Sequence, residues 1–144
     1  MIDISQLVTK ENKLQSAKDA KAAKLSEACA AAICAGFECS ALGDPHHYPT
    51  KSTDQQNLLS SIADSLLAVD DPVWTTPFWC TPLGQDDWAM RPHSHAEIQR
   101  VGREAKAAVL LLMAKNLSLA KAVRLATTMS DIDAIQWDDP PPAA

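Results

Sequence analysis

From residue 9 the chain reads TKENKLQSAKDAKAAKLSEACAAAICAGF, rich in Ala, Lys, Leu and Glu, with no proline and no glycine before Gly36. That composition predicts a long helix with a glycine stop. Its apolar positions are Leu14, Ala17, Leu25, Ala28, Ala32 and Ile33, with Lys18, Lys21 and Lys24 interrupting. The N-terminal half is therefore expected to be exposed or partner-seeking, and the half from Leu25 to Ile33 buried. Ahead of it, MIDISQLV places Ile2, Ile4, Leu7 and Val8 in a short strand-like or hook-like segment. With Leu14 these are the candidate partner-binding residues, a docking hook on a helical spacer.

After Gly36 the period changes to two. GFECSALGDPHHYPTK alternates Phe37, Cys39 and Ala41 against Glu38 and Ser40, turns at Gly43-Asp44-Pro45, and resumes at His47 and Tyr48. A small hairpin is the economical reading. In TDQQNLLSSIADSLLAVDDP, Thr53 with Gln56 matches a capping box, Leu58, Leu59, Ile62, Leu66 and Val69 form a stripe, and Pro72 closes the helix. TTPFWC and DDWAMR then read as two short strands around Pro82-Leu83-Gly84-Gln85, the second ended by Pro92. Ser94 and Glu97 make another capping box. The helix they open spaces Ile98, Ala105, Leu112, Leu119 and Ala126 by seven, and likewise Val101, Ala108, Lys115 and Ala122. Such a seam packs along another long helix and is a candidate homo-oligomer contact. Ser130 is expected to cap a last short turn, DIDAIQW, before the disordered-looking DDPPPAA.

The predicted order is long helix, hairpin, helix, hairpin, long helix, short helix. The chain is thus expected to be α+β and mostly helical, with a docking segment and exposed half-helix over 1–24, a globular domain over 25–137, and a disordered tail over 138–144. No βαβ alternation, phosphate loop or internal repeat is visible.

Composition narrows the function. A net charge of −5 and a pI near 5.2 leave no obvious basic face, so nucleic acid is not expected as a partner. The start has no basic region followed by an apolar one, and the longest apolar run, AAVLLLMA, is too short to cross a bilayer. Folding in a cytoplasm, with no membrane partner, is the expectation. Aromatics are only 5% and much of the 47% apolar share is alanine, so the core is expected to be thin. Trp79, Trp88, Ile98, Val101 and Leu112 are its candidate anchors.

The residues that bear chemistry have plain readings. Cys29, Cys34, Cys39 and Cys80 contain no CxxC pair, so a reduced and mostly buried set is expected. His93-x-His95 near Cys80, with His46-His47 and Cys39, has ligand types for zinc, but Ser94 as a cap sends the two imidazoles apart. Surface or cap histidines are the expectation. Cys80 with His93 or His95 would be the pair of a thiol enzyme, yet its place behind Phe78 and Trp79 reads as a small buried hydrophobe. Asp70-Asp71, Asp86-Asp87 and Asp138-Asp139 read as turn and terminal solvation. Tryptophans are favoured at interface hot spots, so a partner-binding patch is the functional reading of Trp74, Trp79, Trp88 and Trp137.

The run GFECSALGDPHHYPTKSTDQQNLLSSIADSLL, followed by WTTPFWC, WAMRPHSHAEIQRVGREAKAAVLLLMAKN and a closing MSDIDAIQW, resembles a group of short bacteriophage proteins. They are encoded among tail and tail-fibre genes, carry a C-terminal domain of unknown function, and are often labelled tail-fibre assembly or tail-associated proteins. The likeness covers residues 25 to 137. It implies a non-enzymatic part of a tail, either a subunit near the fibre or baseplate or a chaperone that helps the fibre fold and attach. The implied partner is a tail-fibre, baseplate or other tail protein, in the virion or in the host cytoplasm during assembly. It implies no cofactor and no catalytic residue. The contrasting expectation is a small zinc- or thiol-dependent enzyme using Cys80, His93 and His95.

Overall fold

A computed structural model describes residues 3–138. In chain order the elements are α1 (Ile4–Cys34), β1 (Phe37–Cys39), β2 (His46–Tyr48), α2 (Ser52–Leu67), β3 (Thr76–Pro82), β4 (Ala89–His93), α3 (His95–Leu125) and α4 (Met129–Ala134). The fold is α+β and mostly helical, in the order that the periodicities predict. It divides into two compact units, Ala32–Leu111 and a second made of Met1–Ala31 with Leu112–Ala144. Ile2 and residues 139–144, most of the expected tail, lie outside the described residues.

In the unit Ala32–Leu111, the two predicted hairpins join into one antiparallel sheet of order β1-β2-β3-β4. The joining pairs are His46 with Pro82 and His47 with Thr81. Alternation then sorts the side chains. Phe37, Cys39, Tyr48, Phe78 and Cys80 face a core completed by Leu58 of α2 and Ile98, Val101 and Ala105 of α3. Tyr48 lies between Phe37 and Phe78, with ring centroids 5.7 and 6.2 Å away, so one row of rings crosses three strands.

Two glycines permit this packing. At Gly36 φ is +93°, and a Cβ would run into the His47 ring and the Tyr48 carbonyl. The Gly36 N–H donates to Thr50 Oγ1 at 2.9 Å, and that hydroxyl donates to the Ile33 carbonyl at the end of α1. The residue that stops the helix therefore also seats β2 against it. Gly102 is a different case: a Cβ there would strike Ile62 Cδ1, so its bare backbone lets α2 lie close on α3.

The cap of α2 differs from the Thr53–Gln56 expectation. The helix begins at Ser52, and the Asp54 carboxylate accepts from the Lys51 N–H at 3.0 Å, while the Gln55 side chain donates to the Thr50 carbonyl. The Ser94–Glu97 box is present in both directions, Glu97 N–H to Ser94 Oγ at 3.2 Å and Ser94 N–H to Glu97 Oε1 at 2.8 Å.

In the other unit, α1 and the end of α3 run antiparallel. Lys18 Nζ donates to the Arg124 carbonyl at 2.8 Å, and Cys29 Sγ lies 3.6 Å from the Leu112 carbonyl. Leu25, Leu119 and Val123 are buried together, with Ile135 and Trp137 packed on them. Lys21 Nζ donates to the Ile135 carbonyl at 3.0 Å, and Lys115 Nζ sits 4.3 Å from the centre of the Trp137 ring. Lys18 and Lys21 thus satisfy carbonyls at helix ends, where a cation also meets the negative end of the dipole. Thr128, rather than Ser130, caps α4, its side chain accepting from the Asp131 N–H at 3.0 Å.

From Ile4 onward the expected hook is helical. Asp3 Oδ1 accepts from the Ser5 N–H at 3.0 Å, a side-chain cap that starts α1 at Ile4. α1 passes through residue 24, the expected end of the docking segment, without interruption. The seam expected to serve a homo-oligomer is used within the chain, because Ile98, Val101, Ala105 and Leu119 are all buried.

Candidate functional site

β2, β3 and β4 bring one polar group to the inner face of the sheet. His93, the last residue of β4, is fully buried. Its Nδ1 is 2.7 Å from the Arg91 carbonyl, which only accepts, so the proton sits on Nδ1. Nε2 is therefore free to accept from the Tyr48 hydroxyl at 2.8 Å. Burial holds the imidazole below its usual pKa and, with the neighbouring Cys80 and Cys39 thiols, holds the phenol well above its own. The neutral tautomer and the neutral phenol fit each other.

Cys80 lies beside Tyr48 and has no exposed surface. Burial pushes its thiol up, against the lowering effect of Arg91. Arg91 donates to the Cys80 carbonyl and to the Asp87 carbonyl and carboxylate, so it fastens the β3–β4 connection. Cys39 makes a parallel arrangement, its thiol donating to Glu104 at 2.9 Å and pushed up to about 11 by burial first and then by that bond. Both thiols are closed in and kept protonated, the opposite of what a thiolate nucleophile requires.

The structure separates the other histidines. His95 donates from Nε2 to the Ala68 carbonyl at 2.8 Å and lies against Trp74, with centroids 4.7 Å apart and planes tilted by 34°. His46 bonds the Asp44 carbonyl through Nδ1, and His47 bonds the Ala35 carbonyl through Nε2. Each imidazole thus has its own carbonyl, and among the described residues no group of three or more His, Cys, Asp or Glu converges as metal ligands would. Ser94 does part the two histidines, but His93 is a core residue rather than the surface or cap group expected. The sequence reading also missed Tyr48 and Arg91, because nothing in their spacing ties them to His93.

Two surfaces stay open. Trp79 is 42% exposed and points away from the core, so it is not the buried anchor expected. It stacks on half-buried Trp88, centroids 6.2 Å apart and planes 15° from parallel, and His47 meets Trp88 edge-on. With Pro49, Lys51 and Asp54 these rings line a shallow groove of about 400 Å³. Ile98 and Val101 are the buried anchors expected, whereas Leu112 is only half-buried. The second surface is the start of α1, where Ile4, Leu7 and Val8 are 74%, 46% and 49% exposed. Their spacing of three and four puts them on one face, and Leu14 farther along is half-buried.

A family described as "Domain of unknown function (DUF4376)" matches residues 16–136, most of the chain. The chain belongs to this family. No curated protein and no solved structure matches it. The DUF4376 match begins after Ile4, Leu7 and Val8, and takes in the buried Tyr48–His93 pair, the Trp79–Trp88 stack and the lysine-held part of α1.

Proposed function

We propose that the protein is a non-enzymatic structural or assembly module of a bacteriophage tail, which binds a tail-fibre or baseplate component through the first turns of α1. The exposed stripe Ile4–Leu7–Val8 carries this reading. Three aliphatic side chains on one face of a helix cost free energy in water and match the anchor spacing of a helix laid in a groove. Downstream, Lys18 and Lys21 hold the helix to carbonyls of its own unit, which leaves the first turns as the part available to a partner. The resemblance of GFECSALG, YPTKSTDQQNL, FWC and HAEIQRVG to tail-associated phage proteins supplies the class of partner.

The test is recovery of partners from infected cells with a tagged full chain, beside a form lacking residues 1–11. The full chain is expected to bring down a tail-fibre or baseplate protein. The truncated form should keep its melting temperature within a few degrees and bring down none. Equal recovery by both forms, or recovery of no tail protein by the full chain, overturns the proposal.

A further inference from the structure

α2 and α3 leave a second apolar groove within the unit Ala32–Leu111. It has a volume of about 410 Å³, and Ile62 over Gly102 forms its floor. Leu59 and Leu110 line it and are 70% and 52% exposed, so the chain itself does not cover its walls. Such a patch is costly in water and of the kind that receives an apolar helix face.

Charge decides what kind of helix. Lys106 lines the groove, and exposed Arg103 stands one turn before it on α3. Among the described residues that line the groove there is no carboxylate. An acidic flank would be attracted to this rim and a basic one repelled. The start of α1 from a second copy has the right apolar spacing, but its Asp3 and Glu11 offset Lys10 and Lys13, so the rim gives it no electrostatic advantage.

We infer that the α2–α3 groove is a docking site for an amphipathic helix of a partner protein, with aliphatic side chains on one face and acidic residues along the flank that meets Lys106 and Arg103. This surface is independent of the first turns of α1, so failure of either proposal leaves the other standing.

Two labelled synthetic peptides test it, with the same leucine face and either Glu or Lys flanks, titrated against the full-length protein by fluorescence anisotropy. The Glu-flanked peptide is expected to bind in the micromolar range and at least about fivefold more tightly than the Lys-flanked one. Lys106→Glu, at an exposed position, should reverse that order, and Leu59→Asp should weaken both peptides by about tenfold. Circular dichroism of both variants should match the parent. No binding up to about millimolar peptide overturns the docking site. Equal or reversed preference, or a preference unmoved by Lys106→Glu, overturns the acidic partner.

Discussion

Each nitrogen of His93 is committed to a different group, Nδ1–H to the Arg91 carbonyl and Nε2 to the Tyr48 hydroxyl, and that commitment makes the core sensitive to acid. Burial lowers the folded-state pKa of His93 below its unfolded value of about 6.5. Above that value both states are neutral and the network contributes fully. As pH falls below about 6.5 the unfolded chain takes up a proton that the folded one refuses, so stability declines, by at most about 1.4 kcal/mol per pH unit for this one group. Denaturant melts between pH 7.5 and 5 should show the decline, and His93→Gln should flatten it. A decline unchanged in that variant would assign the acid sensitivity to other groups. Tyr48→Phe leaves Nε2 without its donor and should cost about 1 to 3 kcal/mol at neutral pH.

Trp79 shows the opposite case, a large residue that holds little. Trp79→Ala removes a stacked ring from an exposed position, so its cost should be about 0.5 to 1.5 kcal/mol, well below that of a core aromatic. Gly36→Ala, although a change of one methyl group, should cost more than about 2 kcal/mol, since it meets both an unfavourable φ and the His47 ring. Thermal melts rank the two, and the reverse order would show that the sheet surface carries more of the fold than its exposure suggests.

At the scale of elements, periods and one cap in three were legible and pairings were not: α2 is capped at Lys51 with Asp54 rather than at Thr53, and α4 at Thr128 rather than Ser130. The Ser94–Glu97 box, the glycine stop at Gly36, the four helices and both hairpins are local, written within a few residues of each other. The β2–β3 pairing joins residues more than thirty positions apart, and no local pattern announces it. Trp79 was misplaced for a different reason. Phe78 and Cys80 face the core, so period two already sends Trp79 outward, and its size argued against its parity. In the sequence the lysines of α1 are interruptions of an apolar stripe, because their acceptors, the Arg124 and Ile135 carbonyls, are more than a hundred residues away. Lys18→Ala with Lys21→Ala should therefore lower stability by about 1 to 2 kcal/mol, measured by denaturant melts. An unchanged midpoint would reduce both bonds to surface decoration. Removal of residues 1–24 takes these lysines too, so it should destabilise the α1–α3 unit, whereas removal of 1–11 should not.

On the scale of the whole molecule, the histidine, tyrosine and thiols that could bear chemistry lie inside an apolar core, and several large apolar side chains are left outside it. His93 and Tyr48 are enclosed and bond each other, Cys39 is enclosed and bonds Glu104, and Cys80 is enclosed beside Tyr48, while Ile4, Leu7, Val8, Leu59, Leu110 and Trp79 face solvent. That distribution supports a protein that works by binding other proteins. The most direct measurement of the proposal is co-purification from infected cells by the full chain and by a variant with Ile4→Asp, Leu7→Asp and Val8→Asp, read by mass spectrometry. All three positions are exposed, so the variant should melt with the parent, and only the parent should carry a tail-fibre or baseplate protein with it. A variant that still carries that protein, or a parent that carries none, contradicts the account.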